Sequence, residues 1–159
     1  MALVLAARQA ALPLPAAVAA LSPLTDLSQA SDTRLTLAAY DPIIVGDSSS
    51  RFTTYAGDHD VRDPLVSPVY GDFGGFPPLL IQVGTREVLL SDSVRLARRA
   101  REAGVVVTLD VWEGMWHVWQ EHPTVPEARA AAAEIGRFLE EHLTGSKGGR
   151  NKENQLGTR

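Results

Sequence analysis

The chain has 159 residues, of which 45% are hydrophobic and 21% are charged, and these proportions are typical of a single globular domain. Its net charge of −4 at pH 7 argues against nucleic acid or an anionic membrane surface as a partner. It contains no cysteine, which excludes disulfides and thiolate metal sites, and we expect a reducing, cytoplasmic location.

The first residues, MALVLAARQAALPLPAAVAAL, are apolar enough to raise the question of a signal peptide. A signal peptide has basic residues ahead of its apolar run, whereas Arg8 lies inside this run and Pro13 and Pro15 interrupt it. We therefore expect neither a signal peptide nor a membrane span. The pattern predicts a short helix over residues 3–11, a proline turn, and a strand over residues 16–21 that is buried on both faces.

Two further apolar runs predict strands, LLIQVG over residues 79–84 and VVVTLDVW over residues 105–112. Between them, small and apolar side chains recur at steps of three and four, with arginines on the other sides. That spacing predicts an amphipathic helix over residues 89–103, ended by a glycine. A second amphipathic helix is predicted over residues 127–143.

The order strand, helix, strand, helix predicts an α/β fold with about three parallel strands and helices on both faces. Residues 22–76 are rich in Ser, Thr, Asp, Gly and Pro and are interpreted as long connections. Residues 144–159 lack apolar periodicity and contain four basic residues against one acidic residue. We therefore predict one domain over residues 1–143 and a disordered basic tail over residues 144–159.

Three segments follow the predicted strands, at residues 22–26, 85–87 and 113–117. In a parallel sheet the chemistry lies at the carboxyl ends of the strands, so we expect these segments to meet at one edge. They contain one histidine, His117, and three carboxylates, those of Asp26, Glu87 and Glu113. A carboxylate and a histidine from adjacent strand ends are the two supporting members of a nucleophile–histidine–acid triad.

The chain resembles the C-terminal half of the hormone-sensitive-lipase-like carboxylesterases, bacterial family IV of the α/β-hydrolase fold. The resemblance is carried by DPLVSPVYGDFGGFPPLLIQVGTREVLLSDSVRLARRAREAGVVVTLDVWEGMWHVW (residues 63–119) and by LPLPAAVAALSPLTDLS (residues 12–28), and covers roughly residues 2–143. It implies hydrolysis of small carboxylic esters by a serine nucleophile through an acyl-enzyme, with no metal and no organic cofactor.

The resemblance assigns roles residue by residue. His117 takes the position of the catalytic histidine, within a Gly-Met-x-His motif. Glu87 takes the position of the acid, where the family usually has aspartate. Asp92, five residues later, is interpreted as a first-turn acid that the helix dipole favours, although it is the alternative candidate for the acid.

The nucleophile is not accounted for. In the family its Gly-x-Ser-x-Gly turn and the His-Gly-Gly-Gly oxyanion loop lie ahead of the matched residues. The segment Gly46-Asp47-Ser48 shares three residues with that turn, but it lacks the closing glycine and a preceding strand, so we interpret it as a solvated loop. We therefore expect a part of an esterase that carries the acid and the histidine and is inactive by itself.

The alternative is a non-catalytic binding module, or the complementing half of a split hydrolase, whose partner would raise its stability. The family's nucleophile strand lies beside the strand predicted over residues 16–21. Without that neighbour, residues 16–21 would form an exposed apolar edge, so self-association through this edge is expected in either case.

Overall fold

The computed structural model describes residues 1–44 and 54–153, with side chains described as far as residue 144. Its elements include, in chain order, α1 (Ala2–Gln9), β1 (Val18–Leu21), α2 (Thr33–Thr36), a 3₁₀ turn (Pro68–Tyr70), β2 (Leu79–Gly84), α3 (Leu90–Glu102), β3 (Val107–Trp112), a second 3₁₀ turn (Trp119–Glu121) and α4 (Pro126–Glu153).

The three strands form one parallel sheet in the order β1-β2-β3. In the central strand, Leu79 is in register with Val18 of β1 and with Val107 of β3. All of β2 is buried, whereas β1 is half-buried along its whole length. The predicted α/β class is confirmed. The expectation that the first strand is buried on both faces is wrong, because β1 is an edge strand of the sheet formed by the described residues.

One face of the sheet packs against α1 and α3. Leu79 and Ile81 of β2 are buried in the same cluster as Leu96 and Ala100 of α3 and Leu5 of α1. The alanine side of α3 is small enough for the helix to lie close to the sheet, while most of its arginines are exposed on the other side. The amphipathic pattern thus places α3 as predicted.

The other face of the sheet is covered by α4. Its Ala128 and Ala131 are buried against Trp119 of the second 3₁₀ turn. Gln82, a buried polar residue of β2, donates a hydrogen bond from Nε2 to the carbonyl oxygen of Ala131 at 3.1 Å. The buried amide is therefore paired, and the central strand is tied directly to the helix.

The last helix is longer than predicted, because α4 continues to Glu153 where the sequence predicted an end at residue 143. The hydroxyl of Thr144 donates to the carbonyl oxygen of Glu140 at 2.8 Å, and no proline follows that would stop the helix. Residues 154–159 lie outside the described residues, so the disordered tail and the domain boundary stay predictions. Neither α4 nor another helix in the described ranges is long and apolar enough to cross a membrane.

Candidate active site

The carboxyl ends of the three strands bring three polar side chains to one edge of the sheet. Ser22 directly follows β1, Glu87 lies in the turn after β2, and His117 lies in the loop after β3. Because the strands are parallel, these turns leave the sheet on the same side. The two residues predicted to carry the chemistry, Glu87 and His117, are in contact.

Glu87 is completely buried. Its Oε1 accepts a hydrogen bond from the backbone N–H of Gly84 at 2.6 Å and another from the hydroxyl of Ser22 at 2.8 Å. Burial of a carboxylate is costly unless donors compensate for the lost water. These two donors supply that compensation at Oε1, and neither of them contacts Oε2.

The second oxygen, Oε2 of Glu87, lies 3.3 Å from Nδ1 of His117. The histidine side chain keeps 20% of its surface exposed, whereas the carboxylate has none. A carboxylate at Nδ1 favours the tautomer with the proton on that nitrogen, so that the lone pair is on Nε2. An imidazole oriented in this way can take a proton from a nucleophile at Nε2, while the carboxylate stabilises the resulting positive charge.

The loop that carries His117 is held against the end of β2 by backbone contacts. The N–H of Arg86 donates to the carbonyl oxygen of Met115 at 2.9 Å, and the N–H of Gly114 donates to the hydroxyl of Thr85 at 2.8 Å. A Cβ at Gly84 would collide with the carbonyl of Met115, so a side chain there would force the loop away. Glycine at this position is what permits the close approach.

Two residues beside the pair adopt left-handed backbone conformations. Ser22 has φ of 43° and Val118 has φ of 49°. For residues other than glycine such conformations cost about 1–3 kcal/mol each, and for a β-branched valine they are rare. The N–H of Val118 donates to the hydroxyl of Ser22 at 3.1 Å, so one hydrogen bond joins the two strained positions.

The sequence predicts that Ser22 lies at this edge of the sheet, but it assigns the residue no role. The signal available was a serine followed by proline at the end of a predicted parallel strand. Its hydroxyl is bonded to Glu87 on the oxygen opposite the one that faces His117. A nucleophilic serine must donate to the imidazole, so Ser22 does not have the geometry of a nucleophile.

Asp92, the alternative acid, lies elsewhere. It is completely buried in the first turn of α3. Its Oδ2 accepts hydrogen bonds from the backbone N–H groups of Thr25 and Asp26 at 2.9 and 3.0 Å, and it lies 3.6 Å from Nη2 of Arg34. Its Oδ1 accepts from the hydroxyl of Ser31. Its contacts are therefore with the loop after β1, not with the imidazole.

The segment Gly46-Asp47-Ser48 lies outside the described residues, so its interpretation as a solvated loop stays a prediction. Among the described side chains, those of residues 1–44 and 54–144, no three of His, Asp or Glu lie close enough together to hold a metal ion.

Comparisons with known proteins identify the family of the fold. Residues 1–121 match the Abhydrolase_3 family model, described as an alpha/beta hydrolase fold. The chain is 42% identical over 136 residues to an acetyl-hydrolase of Streptomyces hygroscopicus, across 84% of this chain and 46% of that protein. It therefore spans about half the length of this relative.

Solved structures show the same likeness. An esterase from the bacterial hormone-sensitive lipase family superposes with a TM-score of 0.86 at 42% identity, over 89% of this chain and 48% of that one. A crystal of the esterase EstE5 soaked with p-nitrophenyl butyrate gives a TM-score of 0.86 at 38% identity, over 90% of this chain and 49% of that one. The predicted resemblance to hormone-sensitive-lipase-like esterases is confirmed.

Proposed function

The chain belongs to the Abhydrolase_3 family of the alpha/beta hydrolase fold, and on that premise we propose that Glu87 and His117 are the acid and the base of an ester-hydrolysing triad. The observation that carries the proposal is the contact of 3.3 Å between Nδ1 of His117 and a buried carboxylate at the carboxyl edge of a parallel sheet. Relatives and structural neighbours that are esterases or acetyl-hydrolases support the reaction class.

In the proposed mechanism, Nε2 of His117 takes the proton from a serine hydroxyl as the serine oxygen attacks the ester carbonyl. The same nitrogen then gives that proton to the departing alcohol, which leaves an acyl-enzyme. A water molecule, activated again by Nε2, hydrolyses the acyl group and returns the serine to its free form. Glu87 holds the imidazole in the required tautomer through both steps.

The serine and the oxyanion donors are proposed to come from the half of the family fold that is not matched by this chain. The sequence has no Gly-x-Ser-x-Gly pentapeptide, and the serine at the edge, Ser22, points to the acid. We therefore propose that the 159-residue chain by itself has no serine-esterase turnover. The loss of an oxyanion donor alone lowers the rate about a hundredfold to a thousandfold.

The test is to fuse the chain to the N-terminal half of the Streptomyces hygroscopicus acetyl-hydrolase and to measure hydrolysis of p-nitrophenyl butyrate. We expect turnover from the fusion, no turnover from the chain alone, and a loss of about 10⁴-fold or more in the fusion with His117→Ala.

His122→Ala is the matched control, because His122 packs its ring edge-on against Trp116 at 5.6 Å and does not face Glu87. It should leave turnover unchanged. A folded fusion without turnover, or one that retains activity with His117→Ala, would contradict the proposal. So would labelling of any serine of the isolated chain by a fluorophosphonate.

A second candidate function is a binding module that complements another half of a hydrolase, and the open edge of β1 favours it. On the side away from β2, this strand has no strand partner among the described residues. A groove of about 380 Å³ lies beside it, and its lining includes Met1, Ala20, Leu21, Leu24 and Val66. Both features suit an added strand with apolar side chains, either from a complementing half or from a second copy of this chain.

The direction of the N–H groups in β1 provides a test. The N–H groups of Val18 and Ser22 donate to carbonyl oxygens on the β2 side at 2.8 Å each. Because N–H groups alternate in direction along a strand, the N–H of Ala20 also faces β2, and the N–H of Ala19 faces the open edge. Ala19→Pro should therefore lower self-association of the isolated chain in sedimentation velocity. The control Ala20→Pro should lower stability instead, because it removes a bond to β2. A wild-type chain that stays monomeric would contradict this use of the edge.

For the remaining partners, we propose small carboxylic esters and no nucleic acid, since the chain is acidic overall with a net charge of −4. A cytoplasmic location is proposed from the absence of cysteine.

A further inference from the structure

Ser22 lies where the ends of all three strands meet. Its side chain is buried, with 2% of the residue exposed, and it follows β1, whereas the acid follows β2 and the histidine follows β3. Its hydroxyl nevertheless contacts both of the segments that carry these two residues. The mechanism described above does not use this residue.

The Ser22 hydroxyl both donates and accepts a hydrogen bond where the three strand ends meet. A serine hydroxyl has a single proton to donate, and here it is donated to Oε1 of Glu87 at 2.8 Å. The same oxygen accepts the backbone N–H of Val118 at 3.1 Å. Through one oxygen atom, Ser22 thus connects the acid to the residue that follows His117.

The bond to Val118 acts on a strained part of the backbone. Val118 is a β-branched residue with φ of 49°, so its conformation must be maintained by surrounding contacts. Since His117 precedes it directly, the position of this peptide determines the direction from which the imidazole approaches Glu87.

We propose that Ser22 is a positioning residue of the triad, an inference that rests on the proposed function of Glu87 and His117. Its hydroxyl turns the carboxylate so that Oε2 faces Nδ1, and it holds the backbone of the histidine loop at the matching distance. The acid and the base are therefore aligned by a single side chain at the end of a third strand.

The contacts of Glu87 distinguish this role from general stabilisation of the fold. Without the Ser22 hydroxyl, Oε1 still accepts the N–H of Gly84 at 2.6 Å, so the buried carboxylate keeps a donor. The variant loses the hydrogen bond from the Ser22 hydroxyl, and this second bond to Oε1 is the contact that keeps the carboxylate from rotating. We therefore expect a change in the geometry of the pair that is larger than the change in stability.

The test uses Ser22→Gly in the 159-residue chain, because glycine adopts φ of 43° without strain and removes only the hydroxyl group and Cβ. The matched control is Ser93→Ala. Ser93 is also a completely buried serine, but its Oγ has no hydrogen-bond partner among the described residues. Both variants lose a buried hydroxyl, and only one of these hydroxyls touches the pair.

The readout is the low-field proton NMR signal of the His117 Nδ1–H, assigned by its disappearance in His117→Ala. We expect the signal in wild type and in Ser93→Ala, and its loss or a marked upfield shift in Ser22→Gly with the fold retained by circular dichroism. An unchanged signal in Ser22→Gly would overturn the proposal, and so would the absence of the signal from the folded wild-type chain.

Kinetics of the fusion with the acetyl-hydrolase half provide the second readout. Ser22→Gly should lower kcat about 10- to 100-fold with little change in KM, as misalignment of a catalytic group does, and Ser93→Ala should leave both constants unchanged. The two proposals fail separately. An inactive fusion with an intact NMR signal contradicts ester hydrolysis, whereas an active fusion with kcat insensitive to Ser22→Gly contradicts the positioning role.

Discussion

Glu87 and Asp92 are two completely buried carboxylates that both follow β2, one in the turn and one in the first turn of α3, separated by five residues in the chain. Asp92 has both oxygens occupied by donors from the loop after β1, with Arg34 beside them. Glu87 has two donors on Oε1, while Oε2 faces the partly exposed imidazole of His117.

The difference shows that burial does not identify a catalytic acid, because both carboxylates are equally inaccessible. What distinguishes them is the group that faces the second carboxylate oxygen, which is a serine hydroxyl at Asp92 and an imidazole at Glu87. Backbone N–H groups hold Asp92 in a fixed structural position, which anchors the loop after β1 to the start of α3. A titratable imidazole at Glu87 leaves that carboxylate able to support a proton transfer.

The largest effect is expected on activity, and it identifies which of the two carboxylates is the acid. In the fusion, Glu87→Gln should lower kcat/KM by about 10³- to 10⁴-fold, because the amide no longer holds the imidazole in the required tautomer. Asp92→Asn should leave most of the activity per folded molecule. Steady-state kinetics, normalised to the folded fraction, measure both. Greater damage from Asp92→Asn would assign the acid to Asp92.

The next effect is on stability, and here Asp92→Asn should be more harmful than Glu87→Gln. Asp92→Asn replaces one acceptor oxygen by an amide nitrogen among donors and removes the buried charge that lies 3.6 Å from Nη2 of Arg34, at a cost of about 3 kcal/mol in free energy of unfolding. Glu87→Gln should cost about 1 kcal/mol, since Oε1 can stay bonded. Urea denaturation of the fusion compares them, with Glu102→Gln, an exposed carboxylate on α3, as the control. Equal losses for the two buried sites would contradict the division into a structural and a catalytic carboxylate.

The smallest effect concerns pH and the neighbour of Asp92. Burial by itself would raise the pKa of Asp26, but hydrogen bonds from Ser28 and from Arg95, at 2.5 Å, outweigh it and lower that pKa below its ordinary value. A carboxyl whose pKa is lowered by folding stabilises the fold above its unfolded pKa, and that contribution is lost as pH falls below about 4. Thermal unfolding at a series of pH values should show a smaller acid-induced loss of stability in Asp26→Asn than in wild type. An identical pH dependence in the two proteins would contradict a stabilising role for the ionised Asp26 carboxylate.

Periodicity alone was sufficient where neighbouring residues decide the structure. The apolar run of β2 and the three- and four-residue spacing of α3 predicted elements that the structure contains, because one buried strand and one amphipathic face are local properties of the chain. The α/β class followed from their alternation. The resemblance to a family then pointed to Glu87 and His117, which the structure brings into contact, although their catalytic roles stay predictions.

Tertiary structure decided what depends on residues far apart in the chain. The burial of β1 depends on whether another strand lies beside it, and a sequence pattern of four apolar residues cannot report that. The partners of Asp92 lie about sixty residues earlier, so only the folded chain separates a loop anchor from a dipole-favoured first-turn acid. The position of Ser22 between Glu87 and Val118 likewise required all three strand ends to be assembled, because a single hydroxyl can connect an acid to a histidine loop only when folding has brought both within hydrogen-bond distance.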